Sequence, residues 1–161
     1  MADLKPTATR EDELRQAMEL LYFAYRDFTA EPDAILTQYG FGRAHHRVVH
    51  FVGRRPQMTV GDLLTILKIT KQSLNRVLGQ LVRQGFIVQH RGVQDRRQRL
   101  LELTDKGRDL ERQLSAPQRA RVAGAYRKAG AGAVDGFRKV LLGIIASPDD
   151  RRRFDRGRPK R

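Results

Sequence analysis

Apolar residues recur along this chain with two different periods, and the change from one to the other falls at Gly85. Leu14, Met18, Leu21, Tyr22 and Tyr25 come at three- and four-residue steps, which predicts one apolar face of a helix. Thr9 stands ahead of Arg10, Glu11 and Asp12, a hydroxyl cap followed by first-turn acids. The helix is therefore expected to start there and run to Phe28 or Thr29, with Pro32 beyond its end. A second helix is expected near Ala34 or after Gly42. Its apolar content is Val48, Val49 and Phe51, and Gly53 with Pro56 closes it.

Thr59 with Asp62 three positions on has the form of a capping box. Val60, Leu63, Leu64 and Leu67 then mark a short amphipathic helix, and Lys68 and Ile69 form a turn. Thr70 caps the next helix, whose inward residues are Leu74, Val77, Leu78, Leu81 and Val82. Gly85 sits just past its end, where a C-terminal glycine belongs. From there the period becomes two. Phe86–His90 and Arg97–Leu103 read as two strands joined by the loop Arg91–Arg96.

Thr104, Asp105, Lys106 and Gly107 open another helix, with Leu110 and Leu114 inward. Pro117 is expected to interrupt or kink it, with Ser115 as a possible new cap. Val122 and Tyr126 continue the pattern, and Gly130 and Gly132 break it. Val134, Phe137, Val140, Leu141, Ile144 and Ile145 form a last apolar helix that ends at Ser147 and Pro148. The tail, 148–161, holds one aromatic residue and is expected to be disordered.

The fold class that follows is mainly α with a small β-hairpin wing. Residues 42–107 form a winged helix-turn-helix, and 10–40 and 108–147 are flanking helices of a single domain, 1–161. A 161-residue chain with 40% apolar residues supports only a modest core, so a partner surface is expected to complete the burial.

Charge narrows the function. The chain has 32 Lys and Arg against 18 Asp and Glu, a net of +14, which draws polyanions at long range. Seven basic residues and one Asp lie in Arg151–Arg161, so +8 still resides on the first 150 residues. The absence of cysteine removes disulfides, thiolate metal sites and cysteine nucleophiles. There is no signal-like apolar segment and no run of about 18 apolar residues, so a soluble cytoplasmic protein without a membrane role is expected. No nucleophile elbow, phosphate-binding glycine motif or acid pair suggests an enzyme or a cofactor.

The helix after Thr70 carries the most specific signal. Gln72, Asn75, Arg76, Gly79, Gln80 and Arg83 lie opposite its apolar face without a single acid. A merely solvated face in a mixed-charge protein would carry some Glu or Asp. Amide and guanidinium groups suit base edges, Arg to guanine and Asn or Gln to adenine. Thr70, Lys71 and Ser73 at the helix start suit phosphate. The hairpin adds Arg91, Arg96 and Arg97, with Asp95 placed to hold a guanidinium extended toward a narrow groove.

Taken in order, Thr59–Leu64, Thr70–Ile87, Asp95–Arg97 and Leu103–Gly107 resemble the MarR family of bacterial regulators. The resemblance covers about residues 42–107 specifically and the flanking helices loosely. It implies a homodimer held by the N-terminal and last two helices, and duplex DNA as partner through a pseudo-palindromic operator. It places recognition-helix contacts on Gln72, Ser73, Asn75 and Arg76 and the wing contact on Asp95 and Arg97. It also implies a transcriptional regulator, usually a repressor, and a small-molecule effector pocket between the second helix, the wing region and the dimer helices. His46 and His50, one helical turn apart, and Tyr22 and Tyr25 are the candidates to line that pocket. The ordinary reading of the tyrosines is stacking in the core, and two imidazoles alone are not a metal site. A basic architectural nucleic-acid binder, with the tail supplying the affinity, is the rival reading. His45, His46 and His50, and Pro117, depart from what the family leads one to expect.

Overall fold

A computed structural model describes residues 7–155 of the chain, with side chains from residue 10 on. The elements are α1 (Thr7–Thr37), α2 (Arg43–Arg54), β1 (Met58–Thr59), α3 (Val60–Leu67), α4 (Lys71–Arg83), β2 (Ile87–Arg91), β3 (Arg99–Leu103), α5 (Asp105–Ala129), α6 (Ala131–Ile144) and α7 (Pro148–Arg152). This is the expected class, a winged helix-turn-helix set between long helices.

The core gathers around α2, whose Val48 and Val49 are fully buried. Leu63 of α3, Leu74 and Leu81 of α4, Leu101 of β3 and Leu114 of α5 close on it, all fully buried. Each such side chain contributes about 1.5–3 kcal/mol relative to an exposed one. The strands form one antiparallel sheet in the order β1-β3-β2, with Met58 opposite Leu101 and Ile87 opposite Leu103. Ile87, Leu101 and Leu103 are the buried residues of this sheet's wing strands, which ties the hairpin to the core at its base.

The caps follow the sequence closely. Thr59 accepts from the Asp62 N–H at 3.0 Å, and Asp62 accepts from the Thr59 N–H at 3.1 Å. Thr70 accepts from the Ser73 N–H at 3.1 Å, and Thr104 from the Gly107 N–H at 3.0 Å. Gly85, with φ of 81°, ends α4 with paired bonds from Gly85 N–H to the Val82 carbonyl and from Phe86 N–H to the Leu81 carbonyl.

Several elements differ from expectation. Helix α1 already includes Thr7, so Thr9 is not its cap. It also runs straight through Pro32 to Thr37. The real stop is Gly40, φ 69°, where Phe41 N–H returns to the Leu36 carbonyl and both apolar side chains are buried. Of the two starts expected for the second helix, the one after Gly42 is observed, and α2 includes Gly53. Strand β1 is two residues long, too short to leave a periodic signal. The wing strands run Ile87–Arg91 and Arg99–Leu103, a residue or two later than expected, because the loop folds on itself through Gln98.

Pro117 does not interrupt α5, which is continuous from Asp105 to Ala129, and Ser115 is a buried helix residue rather than a cap. The tail is not wholly without structure either. Ser147 caps the short helix α7, accepting from the Asp150 N–H, and Arg151 donates to the Ile145 carbonyl at 2.9 Å. Residues 156–161 of that tail lie outside the described residues.

Tyr22 and Tyr25 do not stack in the core. They stand with Leu14, Met18 and Leu21 on an exposed face of α1. Phe137, Val140 and Ile144 of α6 are exposed in the same way, so the expected apolar face of α1 and half of that of α6 are uncovered in the single chain. No helix among the described residues is long and apolar enough to cross a membrane.

Candidate nucleic-acid interface

Helix α4 is packed through Leu74, Val77, Leu78 and Leu81 and shows solvent its other side. Lys71, Gln72, Asn75 and Arg76 are exposed there, and no acidic residue occurs in the helix. The turn before it is tight. Lys68 takes a left-handed conformation, φ 52°, which a side chain adopts only at a cost of roughly 1 kcal/mol or more. That turn separates α3 from α4, whose first residues Lys71, Gln72 and Ser73 are exposed. The hydroxyls of Thr70 and Ser73 lie 2.9 Å apart and are engaged in the cap. What projects freely is therefore amide, guanidinium and ammonium.

Gln80, expected on the same face, lies at its flank. It is half-buried on the flank next to α2, where its Oε1 lies 2.5 Å from Nε2 of His45. His45 is itself buried, stacked on Phe41 at 4.5 Å between ring centroids. Its Nδ1 accepts from the Gly42 N–H at 3.0 Å and so completes the start of α2. Burial pushes this imidazole below its ordinary pKa, opposed by the bond to Gln80 and assisted by the positive charge of Arg76. The three-residue distance of His45 from Gly42 was the available sign of its capping role.

The wing loop is held by its own backbone. Gly92 N–H donates to the Gln98 carbonyl at 3.0 Å, and Gln98 N–H to the Asp95 carbonyl at 3.1 Å. A Cβ on Gly92 would stand 2.4 Å from the Asp95 carbonyl oxygen, so only glycine fits. Asp95 Oδ1 accepts from the Arg97 N–H at 3.0 Å and from its Nε at 3.3 Å. The Arg97 side chain is nevertheless 93% exposed, which makes it a guided, outward-pointing cation. Arg91 and Arg96 are also exposed. Arg91 lies directly across the ladder from Arg99, a like-charge pair that a polyanion would relieve.

The junction between the wing and α4 is clasped by side chains of the Thr104–Gly107 run. Thr104 Oγ1 donates to the Gly85 carbonyl at 2.6 Å, and Lys106 Nζ to the Gln84 carbonyl at 2.8 Å. Lys106 also sits over the Phe86 ring at 4.4 Å. Gly107 packs against the Phe86 carbonyl so closely that an added Cβ would be 2.1 Å from its oxygen. Thus the Thr-Asp-Lys-Gly run fastens α5 to the end of α4.

The candidate effector residues fall in two places. His46 and His50 are half-buried on α2. Burial lowers both pKa values, while Glu111 of α5 pulls both back up and Asp33 does so for His46. Tyr25 meets α2 through other residues, its hydroxyl accepting from Arg47 at 3.2 Å and its ring 5.4 Å from Arg43. Tyr22 is 65% exposed and packs edge-on against Phe23, so it joins no pocket within the single chain. Among the described residues no three His, Cys, Asp or Glu side chains are grouped to hold a metal ion.

Known proteins resemble this chain in sequence and in fold. A model of the MarR family matches residues 39–98. Over 144 residues the chain is 50% identical to the HTH-type transcriptional regulator PetP of Rhodobacter capsulatus, spanning 89% of this chain and 86% of that protein. A 61-residue stretch is 34% identical to the transcriptional activatory protein BadR of Rhodopseudomonas palustris, 38% of this chain and 35% of that one. Among solved structures, FabT of Streptococcus pneumoniae in complex with DNA has the same fold, with a TM-score of 0.70 at 22% identity over 81% of this chain and 94% of that one. The MarR family transcription regulator SP03579 matches with a TM-score of 0.71 at 20% identity over 85% and 91%.

Proposed function

The chain belongs to the MarR family, and from that premise we propose that it is a homodimeric, sequence-specific DNA-binding transcriptional regulator. The observation that carries the reading is the exposed, acid-free face of α4, with a wing whose Arg97 is held outward by Asp95. Exposed Gln72, Asn75 and Arg76 offer what base edges recognise in a major groove. Lys71 and the N-terminal turn with Thr70 and Ser73 face phosphate, and Arg91, Arg96 and Arg97 reach the flanking minor groove.

Dimerisation is supported by the uncovered apolar residues of α1 and α6. Leu14, Met18, Leu21 and Tyr22 on one helix, and Phe137, Val140 and Ile144 on the other, are large apolar side chains left to water in the single chain, and a second copy would cover them. A two-fold dimer would bring two α4 helices to successive major grooves of a pseudo-palindromic operator. Its occupation of that DNA gives repression as the default outcome. His46, His50 and Tyr25, at the junction of α1, α2 and α5, form the region where a small-molecule effector would act.

Fluorescence anisotropy with an operator duplex tests the reading surface. Arg76→Ala is expected to lose roughly 1–3 kcal/mol of specific binding. Arg97→Ala is expected to weaken binding through the wing. Wild-type affinity in both variants would refute the assignment of that surface.

A further inference from the structure

We propose that His45 dictates which side of the Gln80 amide meets DNA, restricting Gln80 to donating hydrogen bonds and so narrowing the bases it can accept. The inference rests on α4 being the DNA-reading helix. Its geometry is settled by tautomer logic. His45 Nδ1 accepts from the Gly42 backbone N–H at 3.0 Å, so in the neutral ring the proton resides on Nε2. Burial keeps that ring neutral at neutral pH. The group 2.5 Å from Nε2 must then be an acceptor, which fixes the amide with Oε1 toward His45 and Nε2 away from it.

The imidazole cannot easily turn to release Gln80. Its stacking on Phe41, with 12° between the rings, and its bond to the start of α2 hold it. Gln80 lies one helical turn beyond Arg76, so its free NH2 is on the flank of the reading face. A glutamine reads adenine by accepting from N6 and donating to N7 together. With Oε1 directed back at α2, that bidentate contact is closed. What remains is donation to the N7 of either purine, guanine O6, thymine O4 or a phosphate oxygen. His45 is thus a positioning residue that removes from a glutamine the bidentate contact by which it would single out adenine.

Full-length protein provides the test. A long-range 1H–15N spectrum is expected to show His45 as the Nε2–H tautomer, and an Nδ1–H tautomer would overturn the proposal. Duplexes are then selected from a random pool with wild type, His45→Phe, Gln80→Glu and Arg76→Ala. Phenylalanine keeps a ring against Phe41 but frees the amide, so His45→Phe is expected to gain an adenine preference of about fivefold at one step in each half-site. Gln80→Glu preserves the acceptor for His45 and removes the donor. It is expected to lose preference at that same step while the His45 tautomer is unchanged, and it keeps the test open if His45→Phe folds poorly. Unaltered base preferences in these two variants, with Arg76→Ala altered at its own step, would overturn this inference alone. Unaltered preferences in all three would overturn the reading of α4 as well.

Discussion

The side-chain amide of Gln118 in α5 donates to the backbone carbonyl of Phe28 in α1 at 3.3 Å, and Phe28 is the residue that Pro32 leaves without its helical donor. A proline in a helix interior removes the N–H that would pair four residues back. Here a side chain from the neighbouring helix replaces it, and α1 continues for another turn and more. Arg121 of α5 and Glu31 of α1 pair at 3.2 Å beside the same crossing. Gln118→Leu is therefore expected to destabilise the fold by about 1–3 kcal/mol, the cost of an unsatisfied part-buried carbonyl. Combining it with Pro32→Ala restores a backbone donor, so the Gln118→Leu penalty measured by urea unfolding should largely vanish in the Pro32→Ala background.

Two glycines separate stability from binding. Gly107→Ala puts a methyl against the Phe86 carbonyl, backbone against which nothing can give, and is expected to cost about 3 kcal/mol of stability. Gly92→Ala collides with the Asp95 carbonyl in the wing loop, remote from the core. It should leave the urea midpoint nearly unchanged and weaken duplex binding by misdirecting Arg97. Denaturation and anisotropy on both variants read the two effects independently.

Acid should loosen the domain. His45, His46 and His50 all have pKa values lowered from the ordinary 6.5, each chiefly by burial. The unfolded chain thus binds protons more readily than the folded one below that value. Their contribution to stability is full above about pH 6.5 and is lost as the pH falls through the lowered folded values. The urea midpoint should drop on going from pH 7.5 to 5.5, and His46→Gln with His50→Gln should make that drop smaller. An unchanged slope in the double variant would assign the pH response elsewhere.

The apolar faces of α1 and α6 predict assembly. Placing a charge there, as in Leu21→Glu or Phe137→Glu, should shift sedimentation from dimer toward monomer and reduce operator affinity with it, since each half-site would bind alone. The secondary structure of the winged region should persist, because its core is closed within one chain.

Much of this was legible along the chain where local chemistry decides the outcome. Thr59, Thr70 and Thr104 cap as their spacing indicates, and Gly85 ends α4 with a positive φ. The outer face of α4 and the Asp95–Arg97 pairing were likewise visible, because both depend on neighbours three or fewer residues away. The failures have a common cause. Pro32 and Pro117 read as breaks, yet α1 and α5 pass through them under tertiary packing, with Gln118 supplying the missing bond at Pro32 from 90 residues away. The orientation of the Gln80 amide has no local sign, because His45, the partner that turns its carbonyl inward, lies 35 residues earlier. Strand β1 exists only by pairing with β3, and no local pattern announces two residues. Tyr22 and Tyr25 belong to a face that a single chain does not bury.

Selection of bound duplexes from a random pool with the purified wild-type chain tests the central claim most directly. A homodimer reading through α4 and the wing should recover a two-fold symmetric motif, its half-site centres about one helical turn (10–10.5 base pairs) apart. Recovery of no common motif, with affinity governed by salt alone, would contradict sequence-specific reading and leave only a basic protein that holds DNA by its phosphates.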